Sequence, residues 1–309
     1  MLSATSSLAL LLPLMTLAFL LGGCQTAPPR PPVAVLLPLP VETPPAVKPG
    51  LRLPRIGLAL GGGAARGFAH IGVIQVLEEA GIRPDLVVGT SAGSLIAAMY
   101  AAGKSGRELA TLAQTMDEGA ITDWSFPARG LIRGEALARY VREHTGGRTI
   151  EQMTLPLGIV ATDLDSGAAI LFRRGDTGAA VRASSAVPAI FQPVRIGLRE
   201  YVDGGLVSPV PVRFAREMGA ELVIAVDITS PPDGNATTDM MKLLLQTFAI
   251  MGRSINQFEL RDADIVLRPT LAGMSSADFT SRGRAMAAGR EAATRLLPEL
   301  RAKLLQLMR

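Results

Sequence analysis

The 309-residue chain has very little of the chemistry on which disulfides and metal sites depend. It contains one cysteine, Cys24, and two histidines, His70 and His144. A single cysteine excludes an internal disulfide and a cysteine zinc cluster, and two histidines argue against a multi-histidine metal site. We therefore expect neither a metal ion nor another cofactor.

Aromatic residues and net charge are also scarce. Phe, Trp and Tyr make up 4% of the chain, so Leu, Val, Ile and Ala must fill the core. The 31 basic residues exceed the 27 acidic ones by only four, and no basic run is interleaved with aromatics, which argues against nucleic acid as a partner. With 48% hydrophobic residues, the chain can form one large domain or two small ones.

The first 24 residues are typical of a secretory signal. Residues 8–21 are almost entirely apolar, but they are too few and too early for a comfortable transmembrane span. The run ends in Leu21-Gly22-Gly23-Cys24, which resembles the lipobox of bacterial lipoproteins, where the cysteine is lipidated and becomes the mature N-terminus. No Lys or Arg precedes the apolar run. A plain signal anchor with a chance cysteine is the alternative.

The residues after Cys24 extend this interpretation. Gln25 follows the cysteine, and in the lipoproteins that the segment resembles, a residue other than aspartate there implies sorting to the outer membrane. The resemblance thus implies a lipid anchor in the bacterial cell envelope, at the outer membrane facing the periplasm. Residues 25–54 are rich in proline, which favours polyproline II and predicts a linker. The folded domain is predicted at 55–309.

The folded domain begins with alternating strands and helices. An apolar strand is predicted at 56–60, a helix up to Ala80, a second strand at 86–89 and a helix at 95–102. This order predicts an α/β fold with a parallel sheet and helices on both faces. Further strands are predicted at 157–162, 169–173, 191–196, 199–202, 222–227 and 264–267, and further helices at 106–116, 134–144, 176–185, 211–218, 240–260 and 281–308.

Two stretches are predicted to be irregular. Residues 230–238 form a polar loop. Residues 124–131 carry the single tryptophan, Trp124, and are a candidate lid or substrate wall. A loop whose aromatic residues simply cover the core is the alternative for this second stretch.

A serine stands where the second strand turns into a helix. The sequence Gly89-Thr90-Ser91-Ala92-Gly93 is a Gly-x-Ser-x-Gly, with an apolar strand before it and a helix-forming run after it. Such a sharp turn lifts the serine clear of the sheet and requires small flanking residues. The pattern predicts a nucleophile elbow with Ser91 as the nucleophile. A glycine-rich turn with an incidental serine is the alternative.

The usual partner of a serine nucleophile, a histidine, is poorly placed. His70 lies in the first helix and His144 at the end of a later one, whereas an α/β-hydrolase carries its base in a loop after a late strand. Asp203 stands at a predicted strand end and is followed by Gly204 and Gly205. A Ser–Asp dyad is chemically possible if the carboxylate is desolvated, because desolvation raises its basicity.

The glycine loop Gly61-Gly62-Gly63 is the candidate oxyanion hole. Glycines at a strand end that lead into a helix N-terminus expose backbone N–H groups. Arg66 can fix the loop through its carbonyls or hold a phosphate head group. Together with Gly67 the loop also fits a dinucleotide-binding turn, but that reading requires an acidic residue at the end of the second strand, where this chain has Thr90 and Ser91.

Three motifs in order, Gly-Gly-Gly-x-x-Arg-Gly at 61–67, Gly-Thr-Ser-Ala-Gly at 89–93 and Asp-Gly-Gly at 203–205, resemble the bacterial patatin-like phospholipase family. The resemblance implies Ser91 as nucleophile, Asp203 as base and the amides of Gly62 and Gly63 as oxyanion donors. The positions that support these motifs are Gly61, Arg66, Gly67, Gly89, Gly93, Gly204 and Gly205.

The resemblance also implies a fold and an activity. The fold is a three-layer α/β/α sandwich with a central, mostly parallel sheet. The activity is acyl-ester hydrolysis of a phospholipid, a lysophospholipid or a simpler ester through an acyl-serine, with no need for calcium. The alternative function is a catalytically silent lipoprotein that binds lipid or serves envelope assembly.

Overall fold

The computed structural model describes residues 52–123, 129–229, 240–275 and 277–308. The predicted signal at 1–24 with Cys24, nearly all of the linker at 25–54, the polar loop at 230–238 and most of the candidate lid at 124–131 lie outside the described residues. None of the described helices combines the length and apolar character needed to cross a bilayer.

A mixed sheet forms the centre of the domain. In the described residues its strands follow the order β10-β9-β1-β2-β4-β8-β7, with β5 beside β4. Strands β10, β9, β1, β2 and β4 run parallel, whereas β5, β7 and β8 are antiparallel to their neighbours. The strands are β1 Ile56–Leu60, β2 Leu86–Thr90, β3 Gly130–Ile132, β4 Leu157–Asp163, β5 Ala169–Phe172, β6 Ala189–Phe191, β7 Val194–Ile196, β8 Arg199–Asp203, β9 Leu222–Val226 and β10 Ile265–Leu267.

Helices cover both faces of this sheet. Every residue of β1, β2, β4 and β9 is buried, as expected of parallel strands that lie between two helical layers. One core lies among α1, α2, α3 and α8, and a smaller one lies under α6. The helices are α1 Phe68–Glu79, α2 Ala92–Ala101, α3 Gly106–Thr115, α4 Glu135–His144, α5 Thr177–Ser184, α6 Val212–Glu217, α7 Met240–Glu259 and α8 Arg282–Leu307. The predicted α/β sandwich is confirmed.

The long helix α8 packs closely on α1. A Cβ added at Gly72 would lie 2.0 Å from the carbonyl oxygen of Met286, and one added at Gly289 would lie 2.0 Å from that of Ala69. The two backbones therefore touch, which glycine alone allows at these positions. This contact holds α1, and with it the glycine loop before α1, against the rest of the domain.

The strand predicted at 191–196 is wrong. Pro193 divides it into β6 and β7, because proline has no N–H to continue the ladder. β6 leaves the main sheet and pairs in parallel with β3, at the end of the stretch that was predicted to be irregular. Three-residue strands are too short to show a periodicity of their own, so the sequence did not reveal this small sheet.

Candidate active site

Ser91 occupies a strained turn between β2 and α2. Its backbone has φ 52° and ψ −124°, a conformation that few residues other than glycine adopt. A Cβ at Gly89 would lie 2.4 Å from the carbonyl oxygen of Gly93, and one at Gly93 would lie 2.1 Å from that of Leu60. Gly89 therefore allows the turn to close tightly on itself, and Gly93 allows it to lie this close to β1. The geometry is that of a nucleophile elbow.

Asp203 lies directly against this serine. The Ser91 hydroxyl donates to Oδ2 of Asp203 at 2.7 Å, across 112 residues of sequence. The sheet brings them together, because β4 lies between β2 and β8 and pairs Val160 with Thr90 and Ala161 with Asp203. The second oxygen, Oδ1, accepts from the backbone N–H of Gly205 at 2.7 Å.

Burial changes the proton affinity of this carboxyl group. Asp203 is 6% exposed, and burial raises its pKa from the ordinary 3.8 to about 6, although the hydrogen bonds from Ser91 and Gly205 act in the opposite direction. The group is still ionised at neutral pH, and it is a stronger base than an exposed aspartate. It can thus accept the proton of the Ser91 hydroxyl.

The two predicted oxyanion donors lie in different surroundings. The Gly62 N–H donates to the carbonyl of Pro209 at 2.9 Å, so it would have to leave that acceptor to bind an oxyanion, and its oxyanion role stays a prediction. The Gly63 N–H has no acceptor in the described part of the chain. A Cβ at Gly62 would lie 3.1 Å from the Cβ of Ser91, so the loop passes directly beside the serine.

Among the described residues, neither histidine forms a hydrogen bond with Ser91, so neither is placed to act as its base. His70 is fully buried, its Nε2 lies 2.8 Å from the carbonyl oxygen of Gly61, and burial lowers its pKa to about 4. A neutral ring next to a carbonyl oxygen carries its proton on Nε2, so His70 holds the glycine loop in place. Arg66 holds the same loop from Nε to the Gly63 carbonyl at 3.2 Å. His144, at the end of α4, packs edge-to-face against the ring of Tyr140.

Ser184 contacts the elbow in a way that no sequence spacing indicates. Its buried hydroxyl accepts from the backbone N–H of Ser91 at 2.8 Å and donates to the carbonyl of Val160 at 2.6 Å. It therefore ties the strained turn to β4. Thr162 ties Asp203 to β4 in a similar way, because its hydroxyl donates to the backbone carbonyl of Asp203 at 2.8 Å. The Ser184 contact depends on how α5 packs on β4, and the Thr162 contact depends on the register of β4 and β8.

An apolar pocket opens beside the elbow. It is partly open to solvent, and none of the described side chains that line it is charged. Ala92, directly after the serine, forms part of its wall. The remaining lining residues are Ala64, Gly67, Phe68, Ile71, Leu95, Ile96, Met99, Leu109, Leu112, Ala113, Met116, Ile121, Tyr140 and Phe279. A hydrocarbon chain suits such a surface.

Known proteins are similar to this chain in sequence and in fold. Residues 58–216, slightly more than half of the chain, match the family described as patatin-like phospholipase. The chain belongs to that family. An uncharacterized NTE family protein of Mycobacterium tuberculosis is 39% identical over 190 residues, which cover 60% of this chain and 52% of that protein.

Two further similarities are more distant. Patatin-like phospholipase domain-containing protein 6 of Mus musculus is 36% identical over 192 residues, which are 59% of this chain and 14% of that protein. The chain thus spans about half, or less, of the length of these relatives. The crystal structure of VipD from Legionella pneumophila shares the fold, with a TM-score of 0.55 at 14% identity over 79% of this chain and 66% of that one.

With Asp203 as the base, activity should follow its ionisation. We expect kcat/KM for a soluble ester to fall about tenfold for each pH unit below about 6, because the carboxylate becomes protonated as the pH falls through its raised pKa. A pH–rate profile, with circular dichroism at each pH to confirm folding, measures this. An aspartate of ordinary pKa would leave the rate flat down to about pH 4, and that profile would rule out the buried carboxylate as the base.

Removal of the Ser184 hydroxyl should loosen the elbow. Ser184→Ala leaves the Ser91 N–H and the Val160 carbonyl without partners, a change that costs ~1–3 kcal/mol for each buried group. We expect kcat to fall about tenfold or more at nearly unchanged KM. Ser185→Ala, at the half-buried neighbouring position, is the matched control. Equal kinetics in the two variants would exclude a positioning role for Ser184.

Proposed function

We propose that the protein is a serine acyl hydrolase that cleaves acyl esters of phospholipids, lysophospholipids or simpler lipids. The observation that carries this proposal is the 2.7 Å hydrogen bond between the Ser91 hydroxyl and the buried Asp203 carboxylate. The apolar pocket next to Ala92 supports a substrate with a hydrocarbon chain. Membership of the patatin-like phospholipase family supports a lipid as the substrate class.

The proposed chemistry has two steps that share one base. Asp203 takes the proton of the Ser91 hydroxyl while Oγ attacks the ester carbonyl carbon. The Gly63 N–H stabilises the oxyanion, and Gly62 adds a second donor only if it releases the Pro209 carbonyl. Collapse expels the alcohol, which takes the proton from Asp203 and leaves the acyl group on Ser91. Water, activated by Asp203, then releases the fatty acid.

This chemistry accounts for the absence of a histidine from the dyad. Since Asp203 has a raised pKa and lies within 2.7 Å of Oγ, it can serve alone as base and then as acid. The neutral His70 supports the loop instead of exchanging protons. No step needs a metal ion or an organic cofactor.

Substitution of the nucleophile tests the proposal. Ser91→Ala should lower hydrolysis of p-nitrophenyl esters to background while the thermal unfolding temperature stays close to that of the parent, because a half-buried hydroxyl is lost without a cavity. The parent should prefer longer acyl chains to acetate, since the pocket is apolar. Full activity in Ser91→Ala would contradict the assignment. An inactive parent would favour a silent lipid-binding protein.

We also propose a lipid-anchored location at the outer membrane, facing the periplasm. This proposal rests on the sequence pattern at Cys24 and Gln25 alone. In a bacterial host, metabolic labelling with an alkyne fatty acid should modify the full chain but not Cys24→Ser. Equal labelling of the two proteins would show that the cysteine carries no lipid.

A further inference from the structure

Helix α7 exposes its apolar residues to solvent. Leu243, Ile250, Met251 and Phe258 are between 46% and 64% exposed, and Met240 at the start of the helix is 86% exposed. Intervals of seven, one and seven residues place the first four on one side of the helix, which we call the outer face. Apolar side chains grouped in this way on a surface mark a contact with a partner or a membrane.

The inner side of the same helix buries polar groups. Asn256 and Glu259 are buried, and the Asn256 amide has no hydrogen-bond partner among the described residues. Glu259 accepts from the hydroxyl of Ser208 and forms an ion pair with Arg213 at 3.1 Å. The half-buried Leu245, Phe248 and Ile255 lie on this inner side as well, so packing in the domain accounts for one apolar side of α7 and leaves the outer face without a partner among the described residues.

The helix passes next to the proposed catalytic aspartate. A Cβ at Gly252 would lie 3.4 Å from Pro209 and 4.0 Å from the carbonyl oxygen of Gly205, the residue whose N–H holds Asp203. α7 leads into β10, which runs parallel to the strands before Gly61 and Ser91. The helix therefore runs in the opposite direction to these strands, and its last turns lie towards their amino ends. Its first twelve residues span about 18 Å on the side of the active site.

The exposed charge of α7 has one sign. Its charged residues are Lys242, Arg253 and Glu259. The two basic ones are exposed, whereas the acidic one is buried and paired with Arg213. Just after the helix, the guanidinium of Arg261 lies over the ring of Phe258 at 4.9 Å. Lys242 and Arg253 both border the outer face on one side, and an apolar face with a basic border complements an anionic lipid surface.

We infer that the outer face of α7 docks on an anionic lipid surface and holds the Ser91 site at the edge of the bilayer. The apolar side chains enter the boundary between headgroups and acyl chains, and Lys242 and Arg253 meet the phosphates. The inference rests on the proposed function, because a lipid hydrolase must meet its substrate at such a surface. The experiments measure docking of α7 and hydrolysis separately, so failure of one is distinguished from failure of the other.

Fluorescence reports docking without any catalysis. The chain has one tryptophan, Trp124, so Leu243→Trp combined with Trp124→Phe in the full chain places one fluorophore on α7. With vesicles of phosphatidylcholine and phosphatidylglycerol we expect a blue shift and quenching by brominated acyl chains. Leu305→Trp with Trp124→Phe, on the 70% exposed Leu305 of α8, is the matched control. An unshifted spectrum for position 243 overturns the inference even if residues 1–24 attach the protein to the vesicles.

A polar double variant measures the consequence for activity. Leu243→Gln/Ile250→Gln should hydrolyse a soluble short-chain ester as the parent does, but vesicle phospholipid about tenfold more slowly. Leu53→Gln/Leu305→Gln, at two other exposed leucines, should match the parent on both substrates. Unchanged vesicle hydrolysis in the α7 variant would contradict the inference.

The remaining outcomes are also decisive. If the parent hydrolyses neither substrate, the proposed function fails and the fluorescence still decides whether α7 docks. If sedimentation equilibrium shows that the α7 variant has half the mass of the parent and position 243 does not respond to vesicles, a second copy of the chain covers the outer face. That result would overturn the lipid surface as its partner.

Discussion

The hydrogen bond between Ser91 and Asp203 depends on a carboxylate that is kept almost dry. Burial alone would favour the neutral acid, and the two hydrogen bonds from Ser91 and Gly205 keep the charged form accessible. The balance gives a pKa of about 6, which is low enough for ionisation at neutral pH and high enough for proton transfer from a hydroxyl. The surrounding structure serves to hold these few atoms in place.

Neighbouring residues hold both the turn at Ser91 and the glycine loop in place. The φ of 52° at Ser91 is maintained because Gly89 and Gly93 allow close packing and because Ser184 holds the Ser91 N–H. The glycine loop is fixed in turn by a neutral, buried His70. A strained nucleophile held by rigid neighbours needs little rearrangement when the ester arrives, which is the usual basis of electrostatic preorganisation.

The local patterns of the sequence predicted much of this arrangement. Apolar runs and glycines identified β1, β2 and the turn at Ser91, because these features depend on neighbouring residues only. The pairing of Ser91 with Asp203 required the resemblance to a family, since a contact across 112 residues leaves no periodic signal. The role of Thr162 depends on the register of β4, and that of Ser184 depends on the packing of α5 against this strand. The Pro209 carbonyl that occupies the Gly62 N–H lies in a loop with no recognisable motif.

Covalent labelling tests most directly whether Ser91 is a nucleophile activated by Asp203. A fluorophosphonate reacts with an activated serine and remains attached, so peptide mass spectrometry can locate the adduct. We expect one adduct, on the peptide that contains Ser91, and labelling at least about a hundredfold slower in Asp203→Asn. An unlabelled protein, an adduct on another serine, or equal labelling in Asp203→Asn would contradict it.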